Sequence, residues 1–143
     1  MVSDPITIDS SLNVQDAQEI MRSWGVRHLP VVENGQLVGV LSDRDIYRAI
    51  SIKKTHDLSV REAMSKKPFV VSSTQTLSYV AKSMAKHKYG CVVVKGSNGS
   101  VRGIFTTTDA LFILSQLLEY PDDEKFRVMS MDEYLASYQQ LSA

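Results

Sequence analysis

Gly39-Val40-Leu41-Ser42-Asp43-Arg44-Asp45-Ile46 has a second copy in Gly103-Ile104-Phe105-Thr106-Thr107-Thr108-Asp109-Ala110. In both, a glycine and two apolar residues run into a hydroxyl residue, an aspartate follows three places later, and a helix-compatible run comes after it. The pattern predicts a strand, a tight turn and a helix. A Ser or Thr at the N-cap accepts a hydrogen bond from a first-turn N–H, and an acidic residue at N3 reaches back to the N-cap's own N–H. Ser42-x-x-Asp45 and Thr106-x-x-Asp109 therefore read as a pair of capping boxes. The same positions also suit a ligand, because a helix N-terminus offers positive potential and N–H donors to a phosphate, while a carboxylate accepts hydrogen bonds from a ribose diol. The two readings are compatible.

The duplication extends over most of the chain. Adding 63 to the early numbers sends Pro5 to Pro68, Val14 to Leu77 and Met21 to Met84; from Gly35 onward the offset is 64, so one residue is inserted near Gly96-Ser97-Asn98-Gly99. Pro5-Ile6-Thr7-Ile8 and Pro68-Phe69-Val70-Val71 are short extended pieces. Asn13 and Thr76 sit at N-cap positions, followed at helical spacing by Val14, Ala17, Met21 and Trp24, or by Leu77, Val80, Ala81 and Met84. Trp24 and the methionines are thereby assigned to core stripes. Next come the strands Leu29-Pro30-Val31-Val32 and Tyr89-Gly90-Cys91-Val92-Val93-Val94, a turn with Asn34-Gly35 or Asn98-Gly99, and the strands Leu37 to Leu41 or Val101 to Phe105. The unit is β-α-β-β-α, and the fold class is α+β (α/β in the broad sense). Repeat 1 is expected over residues 1–50, a linker over 51–58, repeat 2 over 59–118, and a tail with a helix over 119–143.

Composition sets limits on function. The chain of 143 residues is 43% hydrophobic and 22% charged, and its 16 basic and 16 acidic residues cancel. Nothing pulls it in bulk toward nucleic acid or an anionic membrane. The single Cys91 excludes an intrachain disulfide framework and, within a strand of valines, reads as a small hydrophobe. The N-terminus lacks a basic region and an apolar run, so a cytoplasmic location is expected. His28, His56 and His87 have no metal-ligand spacing. No constellation supports catalysis, and an enzyme is not expected.

In order and in duplication, these residues resemble the cystathionine β-synthase (CBS) domain in its tandem form, the Bateman module. The resemblance covers about residues 1–118 and is carried by the Pro-started strand, the helix with Ala17 and Met21, Gly25-Val26-Arg27-His28-Leu29-Pro30-Val31-Val32, Gly39-Val40-Leu41 and Ser42-x-x-Asp45, all echoed downstream. It implies two repeats packed pseudo-symmetrically, with clefts between them that take an adenosine-containing ligand of the AMP, ADP or ATP kind. It further implies that Ser42 with Asp45 lines one cleft and Thr106 with Asp109 the other, each aspartate on ribose hydroxyls. Thr7, Ile8, Val26, Arg27 and His28, and in the second copy Val70, Val71, Tyr89 and Gly90, would frame the base. Arg44 is placed for a phosphate, in the first turn of a helix whose N-terminus favours anions. No cofactor is obligatory; Mg²⁺ carried by nucleotide phosphates would meet Asp43 and Asp45, against the alternative of a solvated Asp43.

The copies also differ. Val93 stands where repeat 1 has Pro30, and Thr108 where it has Arg44, which makes the Arg44 end better suited to phosphate. Leu58 to Met64 reads as a capped helical turn ahead of repeat 2, with no counterpart ahead of Met1. Ala110-Leu111-Phe112-Ile113-Leu114, with Leu117 and Leu118, is apolar nearly all round and so is expected to pack against a second surface, either repeat 1 or another chain. Ser130-x-x-Glu133 opens a tail helix with Met131, Tyr134, Leu135 and Tyr138 along one face, expected to cover the module's own surface or else to bind a partner. The leading functional reading is a stand-alone regulatory sensor acting through a separate protein target. The alternative is a structural homodimerisation module whose S/T-x-x-D motifs serve only as caps.

Overall fold

A computed structural model describes residues 5–138. They form two compact units, one spanning Ile6–Pro68 and the other beginning at Phe69. The first contains β1 (Ile8–Asp9), α1 (Val14–Trp24), β2 (His28–Glu33), β3 (Gln36–Ser42), α2 (Asp43–Lys53) and α3 (Val60–Ala63). The second contains β4 (Val70–Ser72), α4 (Leu77–His87), β5 (Cys91–Lys95), β6 (Val101–Thr106), α5 (Thr107–Glu119) and α6 (Met131–Tyr138). Each is the β-α-β-β-α repeat with a helix added after it.

The two three-stranded sheets share one topology. β1 runs parallel to β2 and β2 antiparallel to β3, with Ile8 opposite Val31 and His28 opposite Ser42. β4, β5 and β6 repeat this, with Val71 opposite Val94 and Cys91 opposite Thr106. Even the irregularity recurs, a register shift at Val31/Val32 and at Val94/Lys95. The hairpins differ where the sequence has its insertion. Asn34 and Gly35 both take positive φ (50° and 77°), as a two-residue primed turn requires, whereas residues 96–100 form a longer loop with Gly99 at φ 80°.

Each unit has its own core. Ile8, Val14, Ala17, Met21, Leu29, Val31, Leu41 and Ile46 are buried together in the first; Val71, Leu77, Val80, Met84, Val92, Val94, Phe105 and Ile113 are buried together in the second. Trp24 is an exception to its predicted core place: it is 63% exposed. At about 100° per residue, Met21 returns to within about 20° of Val14, but Trp24 falls about 80° round the helix. It is also the last residue before Gly25, whose φ of 66° ends α1.

The added helices close the repeats that precede them. The turn at Leu58–Met64, expected to open repeat 2, belongs spatially to the first unit: Leu58 and Val60 enter its core, and Val60 and Arg61 donate backbone hydrogen bonds to the carbonyls of Leu12 and Ser10. Seventy-one residues later the tail does the same, Met131 and Asp132 donating to Gln75 and Ser73. The expected self-covering of the tail is thus local to repeat 2, with Met131, Tyr134 and Leu135 fully enclosed in its core. Ser59-x-x-Glu62 and Ser130-x-x-Glu133 are counterparts, so the turn that lacked a partner ahead of Met1 has one after repeat 2.

This closure explains the repeated glycine. A Cβ on Gly39 would lie 2.5 Å from the Ser65 carbonyl oxygen and 2.7 Å from Met64 Sδ; one on Gly103 would lie 3.1 Å from Leu135 Cδ1. Met64 and Leu135 are the same position of the two closing segments. Salt bridges pin both: Arg61 pairs with Glu33, and Arg102 with Asp132 at 2.6 Å.

Candidate functional site

Strand directions gather the predicted site residues. Because β1 parallels β2 and β3 opposes it, the start of β1, the start of β2 and the end of β3 lie at one end of the sheet. Thr7, the loop Val26–His28, Ser42 and the first turn of α2 therefore meet there. The second unit likewise brings together Val70, Tyr89, Gly90, Thr106 and the first turn of α5. Thr7 and Val70 are exposed, whereas the side chains of Ile8 and Val71 point into the cores and leave only backbone to a ligand.

In repeat 1 the capping box is reciprocal. Asp45 N donates to Ser42 Oγ at 3.0 Å, and Ser42 N donates to Asp45 Oδ2 at 3.0 Å. Asp45 is half-buried, and its Oδ1 takes no hydrogen bond among the described residues. The other first-turn donors are already occupied: Asp43 N donates to the Arg27 carbonyl at 3.0 Å, and Arg44 N to Asp43 Oδ1 at 2.8 Å. Both N–H groups are thus spent within the protein, and the charged donor that this turn still presents to solvent is the Arg44 guanidinium, a group suited to pairing with oxyanions. Asp43, not counted among the ligand contacts, turns out to organise this turn.

His28 sits among these charges. Burial lowers its pKa, with the carboxylates of Asp43 and Asp45 opposing the shift and Arg27 and Arg44 adding to it. A histidine whose folded pKa is depressed contributes stability that is present above its ordinary pKa and lost as pH falls below it. Denaturant unfolding should therefore show repeat 1 weakening as pH falls from 7.5 toward 5, and His28→Gln should flatten that part of the profile; a wild-type profile no steeper than the variant's would contradict it.

Repeat 2 uses the same residue types differently. Thr106 donates to Asp109 Oδ2 through both its N–H (2.7 Å) and its hydroxyl (3.0 Å), and Asp109 is fully buried. Tyr134 from α6 donates to Asp109 Oδ1 at 2.8 Å. Burial first, then the Asp109 charge, pushes the Tyr134 pKa far above its ordinary value, so the phenol stays a donor. Thr107 N takes the Gly90 carbonyl at 3.0 Å, as Asp43 N takes Arg27's, and Thr108 is exposed with no charge to offer. Outside the predicted set, Phe69, His87 and Tyr89 form a stack, with Phe69–Tyr89 centroids 4.7 Å apart and His87–Tyr89 5.3 Å apart. Its positions in repeat 1 hold Ile6, Trp24 and Val26, so no such stack is built there.

The Pro30/Val93 difference has a direct consequence in the ladders. Val93 N donates to the Phe69 carbonyl at 2.8 Å, which lengthens the pairing of β4 with β5. Pro30 has no N–H, so the equivalent carbonyl, that of Ile6, lacks this donor.

The sequence profile of the CBS domain family matches residues 1–52 and 60–116. The chain belongs to this family and carries two copies of its domain. Among sequences, it is 30% identical over 124 residues to an inosine-5'-monophosphate dehydrogenase of Korarchaeum cryptofilum, covering 87% of this chain and 25% of that enzyme. It is 36% identical over 100 residues to the uncharacterized protein YlbB of Bacillus subtilis, covering 68% of this chain and 67% of that protein. The chain thus spans about a quarter or less of the larger enzymes it matches.

Solved structures agree on the fold. A putative acetoin utilization protein (AcuB) from Vibrio cholerae superposes with a TM-score of 0.73 at 29% identity, over 87% of this chain and 93% of that one. The CBS domain pair of protein MJ0100, solved with 5'-methylthioadenosine and S-adenosyl-L-methionine, gives 0.71 at 28% identity, over 79% and 94%. CBSX2, solved with AMP, gives 0.69 at 25% identity, over 80% and 90%. No helix among the described residues is long and apolar enough to cross a membrane, and no group of three His, Cys, Asp or Glu side chains among them is gathered to hold a metal.

Proposed function

We propose that the chain is a regulatory sensor that binds an adenosine-containing ligand, does no chemistry on it, and signals through a change of conformation or partner. The observation that carries this reading is the half-buried Asp45 with one oxygen committed to its helix cap and the other open. A vicinal diol supplies the donors such a carboxylate accepts, an amino-purine supplies a donor for the Ile6 carbonyl, and Arg44 supplies a counter-charge for phosphate. The adenosyl ligands of the CBS pairs in MJ0100 and CBSX2 support the same ligand class here. Mg²⁺ arriving on a polyphosphate would compete with Arg44 N–H for Asp43 Oδ1. Equilibrium dialysis with AMP tests the reading: saturable uptake is expected, and its absence with AMP, ATP and S-adenosylmethionine alike would sink it.

The chain is also proposed to act as a homodimer, in the cytoplasm, with a separate protein as its target. α5 supports the dimer. One side of this helix enters the core of repeat 2, while Leu111, Leu114 and Leu118 are exposed at i, i+3 and i+7. The exposed face carries no charge until Glu119, so two copies can meet across a two-fold axis without like-charge repulsion. Leu114→Asp should convert a dimer into a monomer in light scattering; a wild-type monomer at micromolar concentration would remove the proposal.

A further inference from the structure

The two closing segments are equivalent by their backbone bonds, Val60 with Met131 and Arg61 with Asp132. Two residues on, Ala63 corresponds to Tyr134. In repeat 1 a methyl group therefore stands where repeat 2 has a phenol, and only the phenol can reach the aspartate of its own repeat. Asp45 keeps an open oxygen, and Asp109 has none to offer a newcomer: Oδ2 takes two donors from Thr106 and Oδ1 takes Tyr134. Tyr134 is held in place from both sides, edge-on to Phe105 at 5.3 Å and stacked on Tyr138 at 5.3 Å, and none of its surface is exposed. A second, independent difference points the same way. The Phe69 carbonyl is filled by Val93 N–H, whereas Pro30 leaves that of Ile6 without such a donor.

We propose that the chain carries a single adenosyl site, at Asp45, because Tyr134 occupies in repeat 2 the position a ribose hydroxyl would take. Tyr134 is on this account the residue that sets the number of ligands, and the proposal rests on the sensing function proposed above. An incoming hydroxyl gains at Asp109 only a bond that the protein already makes, and the position from which it would make it is filled by the Tyr134 hydroxyl. At Asp45 Oδ1 no hydrogen bond among the described residues has to be broken first.

The test is calorimetric titration of the full chain with AMP. Wild type should take one AMP per chain. Tyr134→Phe, which keeps the ring and removes the donor, should take a second, weaker AMP, and adding Asp109→Asn to it should return the count to one. Two AMP per wild-type chain, or a folded Tyr134→Phe protein that still takes only one, would overturn the proposal while leaving the sensing function standing. Should Tyr134→Phe fail to fold, Asp45→Asn in the wild-type background decides: loss of AMP uptake supports the single site, and a remaining one-to-one isotherm overturns it. No uptake by any of these proteins removes the sensing function and the single-site proposal together.

Discussion

Asp45→Ala is expected to weaken AMP binding by about a hundredfold. Hydrogen bonds from a ligand to an ionised carboxylate contribute about 1.5–3 kcal/mol each, and a diol makes up to two of them with one oxygen or with both. The substitution has a structural cost of its own, because Asp45 Oδ2 accepts from Ser42 N. Loss of a cap typically costs about 1 kcal/mol of stability. The two effects separate experimentally. Asp45→Asn keeps an acceptor for Ser42 N and removes the charge, so it should recover much of the melting temperature lost in Asp45→Ala without restoring AMP affinity. If both variants bound AMP as wild type does, the carboxylate would have no role beyond the helix cap.

Gly39→Ala and Gly103→Ala should differ in stability despite being the same position of the two repeats. At Gly39 the new methyl group meets a backbone oxygen, that of Ser65, which is itself held by a reciprocal pair with Val40 (Val40 N to Ser65 O at 3.1 Å, Ser65 N to Val40 O at 2.9 Å). Relief requires moving the closing segment of repeat 1 off its strand. Overpacking of this kind costs about 1–3 kcal/mol, and the loss of the paired backbone bonds puts Gly39→Ala at the upper end. At Gly103 the methyl group meets the end of the Leu135 side chain, which can change rotamer, so about 1 kcal/mol or less is expected. Urea unfolding of the two variants measures the difference; equal midpoints would mean that the closing segments do not press on their glycines as described.

The sequence exposes the fold through redundancy. Each weak signal, a Pro-started strand, an N-cap, an Asn-Gly turn, a capping box, occurs twice at a nearly constant offset, and the inserted residue near Gly99 falls where the hairpin loop lengthens. The closing segments were hidden for a physical reason: their offset is 71 and not 63 or 64, since α5 and the loop after it separate repeat 2 from α6 by more residues than α2 and its loop separate repeat 1 from α3. The pairing of Ser59-x-x-Glu62 with Ser130-x-x-Glu133 was the signal that could have revealed it. Trp24 misses its core place because, ten residues on from Val14, it stands about 80° round the helix from the buried stripe.

The candidate site was legible in part. Ser42, Arg44 and Asp45 are adjacent in sequence and come from one turn, so a local motif carries them. The difference between Asp45 and Asp109 is not local: it depends on Ala63 or Tyr134, brought by a segment 18 or 25 residues further along the chain. Composition and periodicity assign Tyr134 to an apolar stripe, and it does pack there. Its hydroxyl reaches the aspartate only because α6 is laid on β6 in the fold. Arg44 and Thr108 by their charge, and Pro30, Val93 and Tyr134 by their hydrogen bonding, favour the same repeat.

Titrating wild type and Asp45→Ala with AMP and with 2',3'-dideoxy-AMP shows whether Asp45 holds the diol of an adenosyl ligand. Wild type should lose about a hundredfold in affinity when the hydroxyls are removed, and Asp45→Ala should bind the two nucleotides equally weakly. Equal binding of both nucleotides by wild type, or a preference for AMP that survives in Asp45→Ala, would contradict that contact.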